Sequence, residues 1–221
     1  MTDILSAALE QWKLVKSDVP PSEDTVLFQD ESAVLYVDAK YGPAIPYFGF
    51  DHGDGQVNHG YMSTKGNPEG ILSIPEVQGF DNFAKFILKL NSIESPVESL
   101  GCEKLEREVD LDHPIIRRFI GTYTDIAFTD VAKSEIPEAN IELAVHLVRA
   151  CSGCAEWWSR VEIALQRLKH FHGAQNPWGI MVRITGYGGD IDQARKMWGV
   201  TADRLGNACA SFEASGTERI L

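Results

Sequence analysis

The chain has 221 residues, is 44% hydrophobic and 24% charged, and carries 20 Lys and Arg against 32 Asp and Glu, a formal net charge of −12. This composition belongs to an ordinary globular domain and excludes wholesale disorder. So acidic a chain is poorly suited to gripping nucleic-acid phosphates or an anionic membrane surface, because both call for Lys and Arg. The charge is also uneven. Residues 1–113 hold 8 Lys or Arg and 20 Asp or Glu, whereas residues 114–221 hold 12 of each, so the whole excess lies in the first half.

Residues 3–16 predict an amphipathic helix, since Ile4, Ala8, Trp12 and Val15 recur on one helical face. Pro20 and Pro21 stop it. Residues 25–29 and 33–37 are β-forming runs around Asp30-Glu31-Ser32, which predicts a hairpin. A second hairpin is expected from residues 45–50 and 56–63 around Asp51-His52-Gly53-Asp54-Gly55, and residues 70–74 suggest a further strand. Phe80, Phe83, Ile87 and Leu90 mark a helix with an apolar face. Residues 92–101 are polar, contain Pro96 and read as a connector.

Residues 103–109 and 115–129 predict strands. In the second, Phe119, Gly121, Tyr123, Asp125 and Ala127 share one face, and Ile120, Thr122, Thr124, Ile126 and Phe128 the other. Residues 137–171 predict one long helix, or a helix pair broken at Ser152-Gly153. Ala144, Leu147, Cys151, Cys154, Trp158, Val161, Leu165 and Leu168 alternate spacings of three and four along it, as in a heptad seam. A strand over 178–185 then leads through a glycine-rich turn to a final helix, with Asp190 as N-cap and Gln193 three residues on.

This order predicts an α+β fold. An antiparallel sheet of short strands would be packed by the long helix or helix pair of the second half, a final helix and an N-terminal helix. One domain over residues 1–221 is expected. If there are two, 1–94 is the strand-rich acidic part and 103–221 the helix-rich neutral part. The start lacks the pattern of a secretory signal, and no run approaches the ~18 apolar residues of a membrane span. Four cysteines (Cys102, Cys151, Cys154 and Cys209) are too few for a disulfide scaffold, so a reducing cytoplasm is the expected compartment.

Two clusters carry candidate chemistry. Cys151-Ser152-Gly153-Cys154 is a CxxC pair, which can run disulfide exchange when one thiol's pKa is lowered. No strand precedes it and no histidine follows in the next turn, and on a helical seam both cysteines would be small core residues. Adding His170 and His172 gives a C-x2-C-x15-H-x-H pattern whose histidine gap is short for zinc. The second cluster is Asp51, His52, Asp54, Asn58 and His59, a polar hairpin whose carboxylates and imidazoles could hold a divalent metal or move a proton. The turn Gly186-Tyr187-Gly188-Gly189 lacks the rest of a nucleotide motif, and neither a G-x-S-x-G nor an H-E-x-x-H occurs.

The leading expectation is a non-catalytic cytoplasmic binding protein that engages a basic protein partner, as inhibitors and immunity-type proteins do. The gripping face would be acidic and aromatic, with Asp51, His52, Asp54, His59, Tyr47 and Tyr61, and no cofactor is implied. The alternative is a thiol- or metal-dependent enzyme centred on Cys151 and Cys154 or on the hairpin of His52 and His59. Self-association through the 137–171 helix is a further expectation.

Overall fold

The computed structural model describes residues 4–15, 20–51, 53, 57–108 and 115–213. Helix α1 (Ile4–Val15) lays Ala8 and Trp12 into the core, where the Trp12 ring meets the edge of Trp178 at 5.0 Å between centroids. Strands β1 (Thr25–Gln29) and β2 (Ala33–Val37) form the first expected hairpin. The Asp30 carboxylate closes it by accepting from the Ser32 and Ala33 amides, the short side chain bonding the backbone just ahead of it. Strand β3 (Gly42–Ile45) follows. Two-residue strands β4 (Phe50–Asp51) and β5 (Val57–Asn58) pair antiparallel, so the second hairpin exists but is shorter than its β-forming runs suggest.

Residues 70–74 are not a strand. They fall largely in helix α2 (Pro68–Leu72), because Asn67 accepts from the Gly70 amide and Pro68 occupies the first turn, where a missing N–H costs nothing. Helix α3 (Asp81–Leu90) buries Phe83, Phe86, Ile87 and Leu90, as their spacing predicts. Strand β6 (Val97–Glu108) starts directly after Pro96, which shortens the connector to residues 92–96, and β7 (Arg118–Phe128) returns antiparallel to it. A one-turn helix α4 (Val131–Ser134) leads into α5 (Pro137–Ala150).

The long helix of residues 137–171 is corrected by the structure. Helix α5 ends at Ala150, Gly153 adopts a left-handed φ of 77°, and a short 3-10 turn spans Cys154–Trp157. A left-handed residue cannot continue a right-handed helix, and glycine enters that conformation without a Cβ clash. The chain then leaves as strand β8 (Ser159–Phe171), followed by β9 (Trp178–Gly188) and helix α6 (Ile191–Ala210). The seam expected for self-association therefore does not exist as one helical face. Within α5, Ile141, Ala144, Val145, Leu147 and Val148 are already buried in the chain's own core. Asp190 caps α6 through the Gln193 amide at 2.8 Å, as predicted.

The fold is α+β. Seven strands form one sheet in the order β1-β2-β8-β9-β7-β6, with β3 also on β8. Strand β8 is longer than either partner on its edge. It pairs with β2 over Val161–Leu165 and with β3 over Leu168–Phe171, both parallel. The sheet is therefore mixed, which corrects the expected antiparallel one. β2 reaches β8 across a long connection carrying several helices, and only such a crossover allows parallel pairing. Four of the strands run 11 to 13 residues and are not short.

The pleat divides side chains between two faces. One face carries Ile120, Thr122, Ile126, Val161, Ile163, Leu165, Ile180, Val182 and Ile184, and α1, α3, α5 and α6 bury it. The other carries cross-strand rows read from the register. One row runs Tyr36, Ala164, Met181, Asp125, Gly101, and the next runs Val34, Glu162, Arg183, Tyr123, Glu103. At one end this second face is covered by a smaller core of Ile45, Leu100, Ala127, Leu168 and Phe171, against which Tyr47 and Tyr61 pack.

Candidate ligand-binding cleft

The segment from β3 to α2 does not lie flat on the sheet. Between it and strands β6 and β7 is a cleft of about 670 Å³. Tyr47, Phe48, His59 and Met62 come from the covering segment, Leu100, Gly101, Cys102 and Glu103 from β6, and Tyr123 and Asp125 from β7. Two tyrosines hold the segment in place. The Tyr47 hydroxyl donates to the Leu100 carbonyl at 3.4 Å. The Tyr61 hydroxyl donates to Glu98 Oε2 at 3.3 Å and stands 3.5 Å from His172 Nε2. Their rings are 6.3 Å apart. Lys65 adds bonds to the Ser95 and Val97 carbonyls, tying the far end of the segment to the start of β6.

Asp125 is the chemically distinctive group. It sits on β7, one strand in from the β6 edge of the sheet, and Gln166 of β8 donates to its Oδ1 at 2.7 Å. Burial raises its carboxyl pKa to about 6. The Gln166 bond opposes that rise, and the nearby Asp38 carboxylate reinforces it. Burial and the Asp125 charge also push Tyr47 upward. Burial, Asp125 and Glu103 push Tyr123 up to about 12, so both phenols stay neutral. Glu98, 6% exposed, is raised by burial and partly held down by His172, Tyr61 and Lys65. Among the described residues lining the cleft, the carboxylates Glu76, Glu103 and Asp125 face one lysine, Lys169.

Of the residues singled out from sequence, Tyr47 and Tyr61 meet at the covering segment, with Tyr47 on the cleft itself. His59 lines the cleft and is exposed. Asp51 is exposed in β4 and accepts from the Gly53 amide, a turn-forming bond. His52 and Asp54 lie outside the described residues. Asp125, Gln166, Tyr123, Gly101 and Glu98 were not anticipated as site residues. An acid within a β-forming run was the available signal at Asp125.

Cys151 and Cys154 are fully buried. The Cys154 thiol donates to the Ser32 and Ser159 carbonyls at 3.3 and 3.4 Å. Burial pushes both thiols up, the reverse of what a reactive thiolate needs. From Ser159 the chain to His170 is extended strand, so His170 stands roughly 35 Å along it from the cysteine turn. Among the described residues no group of three His, Cys, Asp or Glu side chains is placed to hold a metal ion, and no helix is long and apolar enough to cross a membrane. No protein-family model, curated protein or solved structure matches the chain.

Proposed function

We propose that this is a non-catalytic binding protein whose acidic first half engages a basic protein partner through the cleft. The carrying observation is the cleft's composition. Glu76, Glu103 and Asp125 outnumber Lys169, and Tyr47, Phe48, Tyr123 and Met62 supply aromatic and apolar wall. Phe48 is 93% exposed at the rim, an anchor that a partner would cover. Acidic surface accelerates encounter with a cationic partner, and aromatic groups slow its departure. Its role is that of an inhibitor or immunity-type protein, and the setting is a reducing cytoplasm, in keeping with four free cysteines.

The test measures association of the full chain with lysine-rich and arginine-rich peptides of equal length over a range of salt concentrations. Association that slows steeply with salt, and slows again in Glu76→Gln with Glu103→Gln, supports this function. Salt-independent binding, or binding unaffected by those substitutions, overturns it.

A further inference from the structure

One position in the cleft lacks the side chain that its strand would otherwise supply. Gly101 lies opposite Asp125 on β6, next to the irregularity that leaves Leu100 unpaired. Its φ is outside the left-handed region, so the backbone does not require glycine there. A Cβ at this position would stand 3.1 Å from Tyr47 Oη and 4.0 Å from Asp125 Oδ2, with no other atom of the described residues beyond its chain neighbours within 4 Å. The absent side chain therefore leaves a gap on the cleft side of the Gly101 backbone, flanked by two oxygens that no methyl covers.

Both oxygens are acceptors. The Tyr47 proton is directed at the Leu100 carbonyl, so its lone pairs remain for a ligand. Gln166 engages Oδ1 of Asp125, which leaves Oδ2 toward the gap. The charged neighbour acting on Asp125 is another carboxylate, Asp38, and Gln166 is neutral. A compact donor of positive charge satisfies all of this. A planar guanidinium prefers two parallel bonds to both oxygens of one carboxylate, and Gln166 already takes one of them. An ammonium has three donors radiating from one atom and needs only single contacts.

We infer that the gap bounded by Gly101, Tyr47 and Asp125 is a subsite for a primary ammonium group, the head of a lysine side chain of the basic partner, an inference that rests on the function proposed for the cleft. The ammonium donates to Asp125 Oδ2 and Tyr47 Oη, and its methylene stem lies along the apolar wall of Phe48 and Met62. The subsite would sort lysine-bearing partners from arginine-bearing ones.

The experiment titrates isotope-labelled full chain with Nα-acetyl-lysine methylamide at about pH 7.5, where amine and carboxylate are both charged. Amide shifts at Gly101 and in the Gln166 side chain report occupancy. Saturable shifts are expected, with no response to the Nε-acetylated analogue and binding at least severalfold weaker for the arginine analogue. Asp125→Asn and Gly101→Ala should each weaken binding about tenfold or more, the usual loss for a hydrogen bond to a charged group, and Tyr47→Phe about threefold. Thermal melts check that each variant is folded, and Tyr47→Phe, which only removes an oxygen, serves if Gly101→Ala is not. Equal response to the acetylated analogue, equal or tighter binding of the arginine analogue, or unchanged affinity in the folded variants overturns the subsite. A lysine-rich peptide that binds salt-dependently but ignores these variants overturns the subsite and leaves the basic-partner function standing. If the single lysine binds at the gap and no lysine-rich peptide binds more tightly, the subsite stands and the protein-partner function falls.

Discussion

The two faces of the sheet are built from the same strands and differ in what they hold. On the helix-covered face the buried side chains are predominantly apolar. Trp198 is fully buried, surrounded by Phe80, Phe83 and Phe86, and its indole N–H donates to Thr122 Oγ1 at 3.1 Å. On the other face the alternate residues are Asp125, Tyr123, Glu162, Arg183 and Gln166, and one carboxyl is kept well above its ordinary pKa by burial. Alternation along a strand thus separates two tasks. One face supplies stability, and the other is free to hold groups that reduce it, which is where binding groups are expected.

The sharpest way to break this contrast is Trp198→Ala. Loss of a fully buried indole and its hydrogen bond should cost ~3–5 kcal/mol in urea unfolding. A loss below about 1 kcal/mol would show that the helix face is not the principal source of stability.

Asp125→Asn should have the opposite sign. The folded-state pKa rises from 3.8 to about 6, so the native carboxyl holds its proton more tightly than the unfolded one. The wild type is therefore unpenalised below the unfolded value, loses stability as pH climbs between the two, and stays penalised above about 6. At about 1.4 kcal/mol per pH unit, and with partial solvent access reducing it, the asparagine variant should gain about 1–3 kcal/mol at neutral pH. That gain should vanish near the unfolded value of 3.8, as urea midpoints across pH would reveal. A variant that lost stability at neutral pH would place Asp125 among the stabilising groups.

A smaller effect concerns the cysteines. Cys151→Ala should cost about 1 kcal/mol as a modest core truncation, and native protein at neutral pH should resist thiol alkylation until it is unfolded. Rapid labelling of Cys151 in the folded state would restore a chemical role for the pair. The smallest effect belongs to the Arg183–Glu162 pair, 2.9 Å apart on the cleft-bearing face. Exposed pairs of this kind contribute little, so Glu162→Gln should change stability by less than about 0.5 kcal/mol.

Much of the fold was legible where local signals and periodicity agreed. Helices α1, α3 and α6 follow from their apolar spacing, the β1–β2 hairpin from its turn, and the faces of β7 from strict alternation. Residues 137–171 misled because β8 is buried nearly throughout from Val161 to Leu168. A strand covered on both faces reads as a continuous apolar run, and its residues match a three-four spacing as readily as a two-residue one. The break at Ser152-Gly153 was readable, but the alternation of Arg160 and Glu162 with Val161 and Ile163 beyond it was the overlooked discriminator. The α2 signal, Asn67 followed by Pro68, was also present and outweighed by Ile71, Leu72 and Ile74. At the cleft, Tyr47 was identifiable as an aromatic in an acidic region. Asp125 meets Gly101 and Gln166 only through strand register and β8 pairing, and register between distant strands is not written in any local run of residues.

Strand β8 also orders events in time. Its parallel partners β2 and β3 precede it by more than a hundred residues, with Ala33 opposite Val161 and Gly42 opposite Leu168. During synthesis the β1–β2 hairpin is finished long before the strand it leans on has been made, and its β8-facing edge waits without a partner. Pairings this distant in sequence close slowly, because a long loop must be ordered before any contact repays it. Of the groups lining the cleft, Asp125 itself is anchored by Gln166 of that same late strand. Most of the cleft's lining is therefore synthesised before the strand that anchors its central carboxylate, so the cleft is completed only when β8 pairs.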